Sequence, residues 1–236
     1  EIMLRDFSSP ISSENNRIHI TGGNLLSPGQ VQVPGDVSSA AFLILATLIS
    51  KGSELIIGNV GLNPTRTGFI EIMKLMGGNI KTVVNNQKKS SEKIGSIIIK
   101  SSKLKGIKVP KHLITSAIDE LPLVFLAGAC AEGSTIIRNA GELRYKESDR
   151  ISSMIKTLNT FAIKTKEFND GATIDGGTIT GGIVDSFGDH RIAMTAIIAS
   201  CVSEQPIIVE NCKNIDTSFP TFQKIMNLIG MNIKEH

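Results

Sequence analysis

The sequence predicts an α/β fold built from three copies of one unit. In three places an acidic residue precedes an apolar run, a strand-like segment and an amphipathic stretch that ends in isoleucine. The acidic residue and that isoleucine stand 44 positions apart in every copy, as Asp36 and Ile80, Asp119 and Ile163, and Asp189 and Ile233. A leucine lies five positions before each of these isoleucines, and a further isoleucine lies eight positions before. Because residues three apart share one face of a helix, the copies are predicted to repeat the same apolar face at the same point.

Each copy is predicted to run strand, helix, strand, helix, strand, strand. In the first copy we expect strands at about 31–33, 54–58, 79–84 and 96–100 and helices at about 38–50 and 66–76. Ser38 or Ser39 can cap the first helix, and Gly52 and Gly77 can end the two helices. The polar segment 85–95 is predicted to join the last two strands as a hairpin.

The other two copies follow the same order with one omission. The second copy closes with strands at about 163–167 and 172–175, which the turn Asn169-Asp170-Gly171 joins. The third copy stops after Lys234 and lacks the last strand of the other two. Residues 1–28 do not fit the repeat, apart from one short strand at 18–20, and are interpreted as the tail of a preceding domain plus a linker. The predicted three-repeat lobe covers 29–236, with repeats at about 29–102, 103–176 and 177–236.

Composition limits the possible partners and the compartment. Lys plus Arg is 25 and Asp plus Glu is 22, and aromatic residues make up 4%, which disfavours nucleic acid as a partner. The longest apolar run, 40–49, is about half of the ~20 residues that a membrane span needs, so no membrane partner is expected. The three cysteines form no CxxC pair, which argues against a disulfide framework or a zinc site and favours the cytoplasm. The chain lacks a starting Met and opens within what looks like an element, so we expect a piece of a longer protein.

A charged cluster at 144–150 marks the candidate site. Arg144, Lys146 and Arg150 are cations at the head of a predicted helix, where positive charge opposes the helix dipole. Lys146 and Arg150 are four apart and would repel each other on one helical face unless an anion lies between them. Glu147 is close enough to pair with Arg150. The cluster therefore predicts an anion site.

A second cluster, Asp189-His190-Arg191, lies at the start of another predicted helix. Arg191 would add a bidentate phosphate donor. Asp36, Asp119 and Asp189 each precede the first helix of a unit, so pseudo-symmetry would bring the three helix N-termini to one mouth. Free N–H groups at such a mouth favour an anion such as phosphate.

These motifs resemble the 5-enolpyruvylshikimate-3-phosphate (EPSP) synthase family. The resemblance rests on Lys146-Glu147-Ser148-Asp149-Arg150 followed by Asp189-His190-Arg191, and on segments 34–40, 63–68 and 217–220. It covers the chain from about residue 30 to the end. It implies an inside-out α/β lobe of three βαβαββ repeats around buried helices, with the strand missing from the third repeat supplied by the N-terminus of the full chain. Thr217 and Glu142 depart from many members, which carry Lys and Asn there, and are similar to another branch of the family.

The resemblance also implies a role for each candidate residue. Asp119 is similar to the carboxylate that contacts the shikimate hydroxyls and helps to deprotonate the attacking one. Glu147 is similar to the acid that protonates the methylene carbon of phosphoenolpyruvate and later takes a proton back. Lys146 is similar to a substrate ligand, and Arg150 looks like one half of a clamp on the phosphate and carboxylate of phosphoenolpyruvate.

The rest of the implied site lies in the second cluster. Arg191 is similar to the other half of the clamp, and the resemblance implies that Asp189 and His190 hold Arg191 and line the site. No cofactor and no metal is implied, and no cluster of metal ligands is visible in the sequence.

The implied activity moves the enolpyruvyl group of phosphoenolpyruvate to the 5-hydroxyl of shikimate 3-phosphate and releases phosphate. This is a cytoplasmic step of the shikimate pathway, toward chorismate and the aromatic amino acids. The motifs of the other lobe are absent, so the missing N-terminal lobe is the expected partner and this chain alone is predicted to be inactive. The alternatives are a UDP-N-acetylglucosamine enolpyruvyltransferase-like enzyme and a non-catalytic anion-binding module, while an RNA-binding protein is disfavoured by charge and aromatic content.

Overall fold

The computed structural model describes residues 1–15, 17–27, 31–85 and 92–235. Its helices are α1 (Ile2–Asp6), α2 (Val37–Ile49), α3 (Gly68–Leu75), α4 (Lys111–Ile114), α5 (Leu121–Ala129), α6 (Arg150–Thr160), α7 (His190–Ala199), α8 (Ile215–Ser218) and α9 (Phe222–Leu228). Its strands are β1 (Ile11–Glu14), β2 (Arg17–Ile20), β3 (Glu54–Gly61), β4 (Asn79–Val84), β5 (Ile94–Lys100), β6 (Ser134–Ile137), β7 (Thr165–Phe168), β8 (Gly171–Asp175), β9 (Gly182–Asp185) and β10 (Ile207–Glu210). Short 3₁₀ helices cover Thr115–Glu120 and Gly141–Tyr145. The α/β class is confirmed.

The first two predicted units have sheets of the same topology. Strands β3, β5 and β4 form one antiparallel sheet in that order, and β6, β8 and β7 form the other. In both sheets the last strand in sequence lies in the middle, between the two that precede it. The predicted hairpin segment 85–95 falls largely on residues 86–91, which lie outside the described residues, as does the predicted domain boundary at 28–29.

The predicted strand at 31–33 is wrong. Val31 and Val33 are 51% and 79% exposed, and this part of the first unit contributes only a parallel bridge between Gly35 and Val60. Pro34 has no N–H to donate to a neighbouring strand, which limits pairing here. In the third unit the equivalent segment is a full strand, because β9 pairs in parallel with β10 over Ile207 to Glu210.

The third unit also has one strand fewer than the sequence predicted. Residues 231–235 form no strand, although they align with β4 and with the segment that leads into β7. The sheet topology gives the reason. Since β4 pairs with β5 and not with β3, the strand that the third unit is predicted to lack is the middle one, and residues 231–235 have no neighbouring strand to pair with among the described residues.

The interior is made of helices. Helices α2, α5 and α7, one from each unit, contact one another, and every residue of α5 is buried. A helix that is apolar on all sides belongs in a core. The helical stretch Lys111–Ala129 has the length and apolarity of a membrane span, but 67% of it is buried inside the protein, so it is weak evidence for a membrane. The shared leucine face is realised only in the second unit, since Leu158 is buried while Leu75 and Leu228 are 54% and 83% exposed.

Aspartates cap two of the three central helices. Asp36 accepts hydrogen bonds from the backbone N–H groups of Ser38 and Ser39, so the cap of α2 is Asp36 and not either serine. Asp189 caps α7 in the same way, through the N–H of Arg191. Asp119 caps nothing, because a 3₁₀ turn continues the helical path on both sides of it. The prediction that each central helix begins just after an aspartate therefore fails in the second unit.

The cap on α2 gives a testable expectation. Asp36→Ala removes the acceptor for two otherwise unpaired N–H groups, and we expect it to lower the free energy of unfolding by about 0.5–2 kcal/mol. Asp36→Asn keeps one of the two acceptor oxygens and should lower the free energy of unfolding less than Asp36→Ala does. Urea denaturation followed by circular dichroism measures both. Equal midpoints for wild type and Asp36→Ala would show that the cap contributes nothing.

Candidate active site

Cations from all three predicted units surround Asp119. Its Oδ1 lies 3.5 Å from Lys146 Nζ and 3.8 Å from Arg150 Nη1, and its Oδ2 lies 4.0 Å from Arg66 Nη2. Its backbone carbonyl accepts a hydrogen bond of 2.9 Å from Arg191 Nη1. Asp119 therefore lies where the predicted units meet, at the end of the lobe to which the N-termini of the central helices point.

Asp119 is itself the anion between Lys146 and Arg150. The sequence placed these two cations on one helical face, but α6 begins at Arg150 and Lys146 lies before it in extended backbone. Lys146 Nζ also lies 2.8 Å from Glu142 Oε1, and this hydrogen bond, with the charge of Asp119, raises the pKa of Lys146. Repulsion between the two cations thus needs no bound ligand to offset it.

Arg150 forms a buried ion pair. Its side chain is 1% exposed and that of Asp189 is fully buried. Arg150 Nε donates to Asp189 Oδ2 at 2.8 Å, and Nη2 donates to Asp189 Oδ1 at 3.2 Å and to Glu147 Oε2 at 2.5 Å. Burial alone would raise the pKa of Asp189, but the bonds and charge of Arg150, with bonds from Arg191 N–H and Ser148, hold it below the usual range.

The expectation that Asp189 and His190 hold Arg191 is wrong for Asp189. The Asp189 carboxylate bonds the guanidinium of Arg150 and meets Arg191 only at the backbone N–H. The guanidinium of Arg191 is held instead by the Asp119 carbonyl and by Glu120, whose Oε1 lies 3.5 Å from Nη1. Burial, and then the charges of Arg191 and Arg150, lower the pKa of His190, which favours a neutral ring near pH 7.

Two polar residues of the cluster were not singled out from the sequence. Glu120 is 2% exposed and accepts a hydrogen bond from the Ser38 hydroxyl, and burial raises its pKa despite that bond and the charges of Arg191 and Arg66. Arg66 Nη2 donates to the same hydroxyl at 2.9 Å. The sequence contained an indication of both residues. Glu120 is a second acid directly after Asp119, and Arg66 lies in segment 63–68, which resembles the family.

Arg144, the third cation of the predicted anion cluster, points away from the other cations. Its guanidinium donates to the carbonyls of Asn169 and Phe168 at 2.7 and 2.8 Å. It also pairs with Asp149 at 2.6 Å and Glu167 at 2.9 Å. Arg144 therefore anchors the loop that carries Lys146 and Glu147 to the hairpin formed by β7 and β8.

The cations of this cluster are already matched by carboxylates. The cations are Arg66, Lys146, Arg150 and Arg191, and the carboxylates within 4.0 Å of them are Asp119, Glu120, Glu142, Glu147 and Asp189. Over the described ranges, no three His, Cys, Asp or Glu side chains come together as candidate metal ligands. The arrangement can orient an anion and exchange protons with it, but a multiply charged substrate needs further cations.

Comparison with known proteins gives a consistent result. Residues 1–226 match the family model described as EPSP synthase (3-phosphoshikimate 1-carboxyvinyltransferase). The 3-phosphoshikimate 1-carboxyvinyltransferase of Legionella pneumophila (strain Corby) is 45% identical over 236 residues, which are 100% of this chain and 54% of the relative. The enzyme of that name from Methylococcus capsulatus is 43% identical over 234 residues, which are 99% of this chain and 53% of the relative.

Solved structures agree with the sequence comparison. An EPSP synthase from Acinetobacter baumannii superposes with a TM-score of 0.94 at 41% identity, over 99% of this chain and 54% of that one. The enolpyruvyl transferase NikO from Streptomyces tendae superposes with a TM-score of 0.73 at 18% identity, over 98% of this chain and 52% of that one, which shows the fold alone. The chain thus spans about half the length of the proteins it matches.

Proposed function

Since this chain belongs to the EPSP synthase family, we propose that it supplies one half of the active site of a 3-phosphoshikimate 1-carboxyvinyltransferase. The proposed reaction joins the enolpyruvyl group of phosphoenolpyruvate to the 5-hydroxyl of shikimate 3-phosphate and releases phosphate. The observation that carries the proposal is the cluster in which Lys146, Arg150 and Arg191 surround Asp119, with Glu147 held on Arg150.

The proton transfers are assigned to the two carboxylates. Glu147, whose side chain is 52% exposed, gives a proton to the methylene carbon of phosphoenolpyruvate, which leaves cationic character at C2. The 5-hydroxyl attacks C2 while Asp119 takes its proton, and a tetrahedral intermediate forms. Glu147 then removes a proton from the new methyl group as the C–O bond to phosphate breaks, and the leaving phosphate takes the proton that Asp119 received. One carboxyl gives and reclaims a proton, as general acid–base catalysis requires.

The cations are assigned to binding. Arg150 and Arg191 would hold the phosphate and carboxylate of phosphoenolpyruvate, and Lys146 would contact either substrate. His190 lines the same mouth, and Asp189 acts through Arg150. Since each of these cations already faces a carboxylate, we propose that the remaining lobe of a protein of the relatives' length adds the cations that two multiply charged substrates require.

The division at residues 28 and 29 and a cytoplasmic location belong to the same proposal. Residues 1–27 contain α1 and the β1–β2 hairpin, neither of which has the topology of the repeated unit. Cys130, Cys201 and Cys212 are free thiols in the structure, which supports a reducing compartment.

Phosphate release tests the proposal. We expect none from this chain alone with both substrates, and steady turnover from a chimera in which the chain replaces the matching part of the Legionella pneumophila relative. Replacing shikimate 3-phosphate by UDP-N-acetylglucosamine should abolish release. A folded chimera without turnover would overturn the proposal in favour of a non-catalytic module, and turnover only with the sugar nucleotide would move the chain to the other transferase family.

A further inference from the structure

Glu120 is a buried carboxylate of the cluster, and the proposed chemistry gives it no role. It is 2% exposed, on the 3₁₀ turn that leads into α5. Burying a carboxylate in a core of apolar helices carries a free-energy penalty that an apolar residue would avoid. A buried acid at the mouth of a proposed active site therefore calls for an explanation beyond packing.

The contacts of Glu120 join the three predicted units. Ser38, at the start of α2, donates its hydroxyl proton to Glu120 Oε1, and Arg66 Nη2 donates to the Ser38 oxygen at 2.9 Å. Arg191 Nη1, at the start of α7, lies 3.5 Å from the same Oε1. One carboxylate oxygen thus connects an arginine of the first unit, through a hydroxyl, with an arginine of the third.

The same two arginines also contact Asp119. Arg191 Nη1 donates to the Asp119 carbonyl at 2.9 Å, and Arg66 Nη2 lies 4.0 Å from the Asp119 carboxylate. Because Glu120 follows Asp119 in the chain, any shift of the guanidinium groups relative to Glu120 is also a shift relative to the proposed catalytic carboxylate. A displacement of about 1 Å in such a site can change rates by about 100-fold.

We propose that Glu120 is a positioning residue, which fixes the guanidinium group of Arg191, and through Ser38 that of Arg66, relative to Asp119. Glu120 contacts no substrate in this proposal. The inference rests on the proposed function, because it deepens the role of Arg191 as a ligand of phosphoenolpyruvate. A purely structural role predicts that loss of the charge changes stability and leaves the arginine groups as they are.

The first test observes the arginine in this chain directly. In ¹⁵N-labelled protein, a guanidinium held on two acceptors rotates slowly and gives separate Nη signals, which the Arg191→Lys variant assigns. We expect Glu120→Gln, which keeps an acceptor for Ser38 but loses the charge, to average the Arg191 signals. Ser38→Ala should change the Arg66 signals and leave those of Arg191 separate. Unchanged Arg191 signals in Glu120→Gln would overturn the proposal.

The second test uses the chimera with the Legionella pneumophila relative. Losing the ion pair of Glu120 with Arg191 should raise the KM for phosphoenolpyruvate by about 10- to 100-fold, with the KM for shikimate 3-phosphate nearly unchanged. Glu71→Gln is the matched control, because Glu71 pairs with Lys74 at 2.9 Å on α3, and it should change neither KM. An effect confined to the unfolding midpoint would refute the positioning role.

The two tests separate this inference from the proposed function. A wild-type chimera that folds without turnover removes the function, while the NMR comparison still decides whether Glu120 fixes Arg191. Turnover in the wild type with identical constants and identical arginine signals in Glu120→Gln removes the inference and leaves the function in place.

Discussion

Replacing Glu147 by glutamine should abolish most turnover while leaving substrate binding nearly intact. In the chimera we expect kcat to fall by about 10²- to 10⁴-fold, the range that a lost general acid–base group produces. Both KM values should stay within about threefold of the wild type, because an equal loss in kcat and kcat/KM marks an interaction needed only for the chemical step.

The structure makes this substitution an informative one. Glu147 Oε2 accepts from Arg150 Nη2 at 2.5 Å, and the amide oxygen of glutamine can accept the same hydrogen bond. The side chain is half-exposed, so the change leaves no buried charge unpaired. What glutamine cannot do is give a proton to a carbon atom and take one back. A loss of rate with folding preserved would therefore report on proton transfer.

A matched control variant shows whether replacing a glutamate by glutamine elsewhere in the protein also lowers turnover. Glu54 pairs with Lys100 at 3.1 Å on the sheet of the first unit, and Glu54→Gln should turn over like the wild type. Phosphate release measured over both substrate concentrations gives the constants for each variant. Unimpaired turnover in Glu147→Gln would exclude Glu147 as the acid and favour the non-catalytic anion-binding module.

The sequence pattern correctly predicted those helices and strands whose formation depends on residues close to one another in the chain. The strand at 79–84 is observed with the predicted bounds, and α2 begins one residue before the predicted start. These elements follow from periodicity and from turn residues within a few positions. The strand predicted at 31–33 failed because Pro34 limits the pairing, which the alternation of valines does not reveal.

The sequence predicted which residues lie in the candidate site more reliably than it predicted which of their side chains pair with each other. The three-fold repeat predicted that Asp119 and the helix start at Asp189 and Arg191 lie at one end, since equivalent helix starts meet there, and the family resemblance added Arg150. It could not predict that Asp189 pairs with Arg150 and Glu120 with Arg191, because those choices depend on distances of a few ångströms between units. Arg144 shows the same limit, since the β7–β8 hairpin that binds it follows more than 20 positions later.

Replacing Arg150 by methionine should destabilise the protein more than any other single change considered for this site. The substitution leaves the fully buried Asp189 without its cation, and breaking a buried pair in this way costs about 3–5 kcal/mol. We expect the free energy of unfolding in urea at pH 7 to fall by about that amount. Glu147 should add little to the loss, since its half-exposed carboxylate can turn to water.

The double variant Arg150→Met with Asp189→Asn tests whether an unpaired charge is the cause. Asparagine keeps an acceptor for the N–H of Arg191, so the cap on α7 survives while the buried charge is removed. The double variant should therefore recover part of the stability that the single variant loses. Equal losses in the single and double variants would show that packing, and not charge, dominates at this position.

The dependence of stability on pH should change sign with the same substitution. In the wild type the pKa of Asp189 lies below its unfolded value of about 3.9, so its contribution is present above that pH and is lost as the pH falls through the folded pKa. Without Arg150, burial is opposed only by the bonds from the Arg191 N–H and Ser148, and we expect it, as the largest influence on this group, to raise the folded pKa of Asp189 above the unfolded value. Arg150→Met should then gain stability relative to the wild type as the pH falls from 7 to 5, and a parallel decline of both proteins would contradict the assignment of Asp189 as the partner of Arg150.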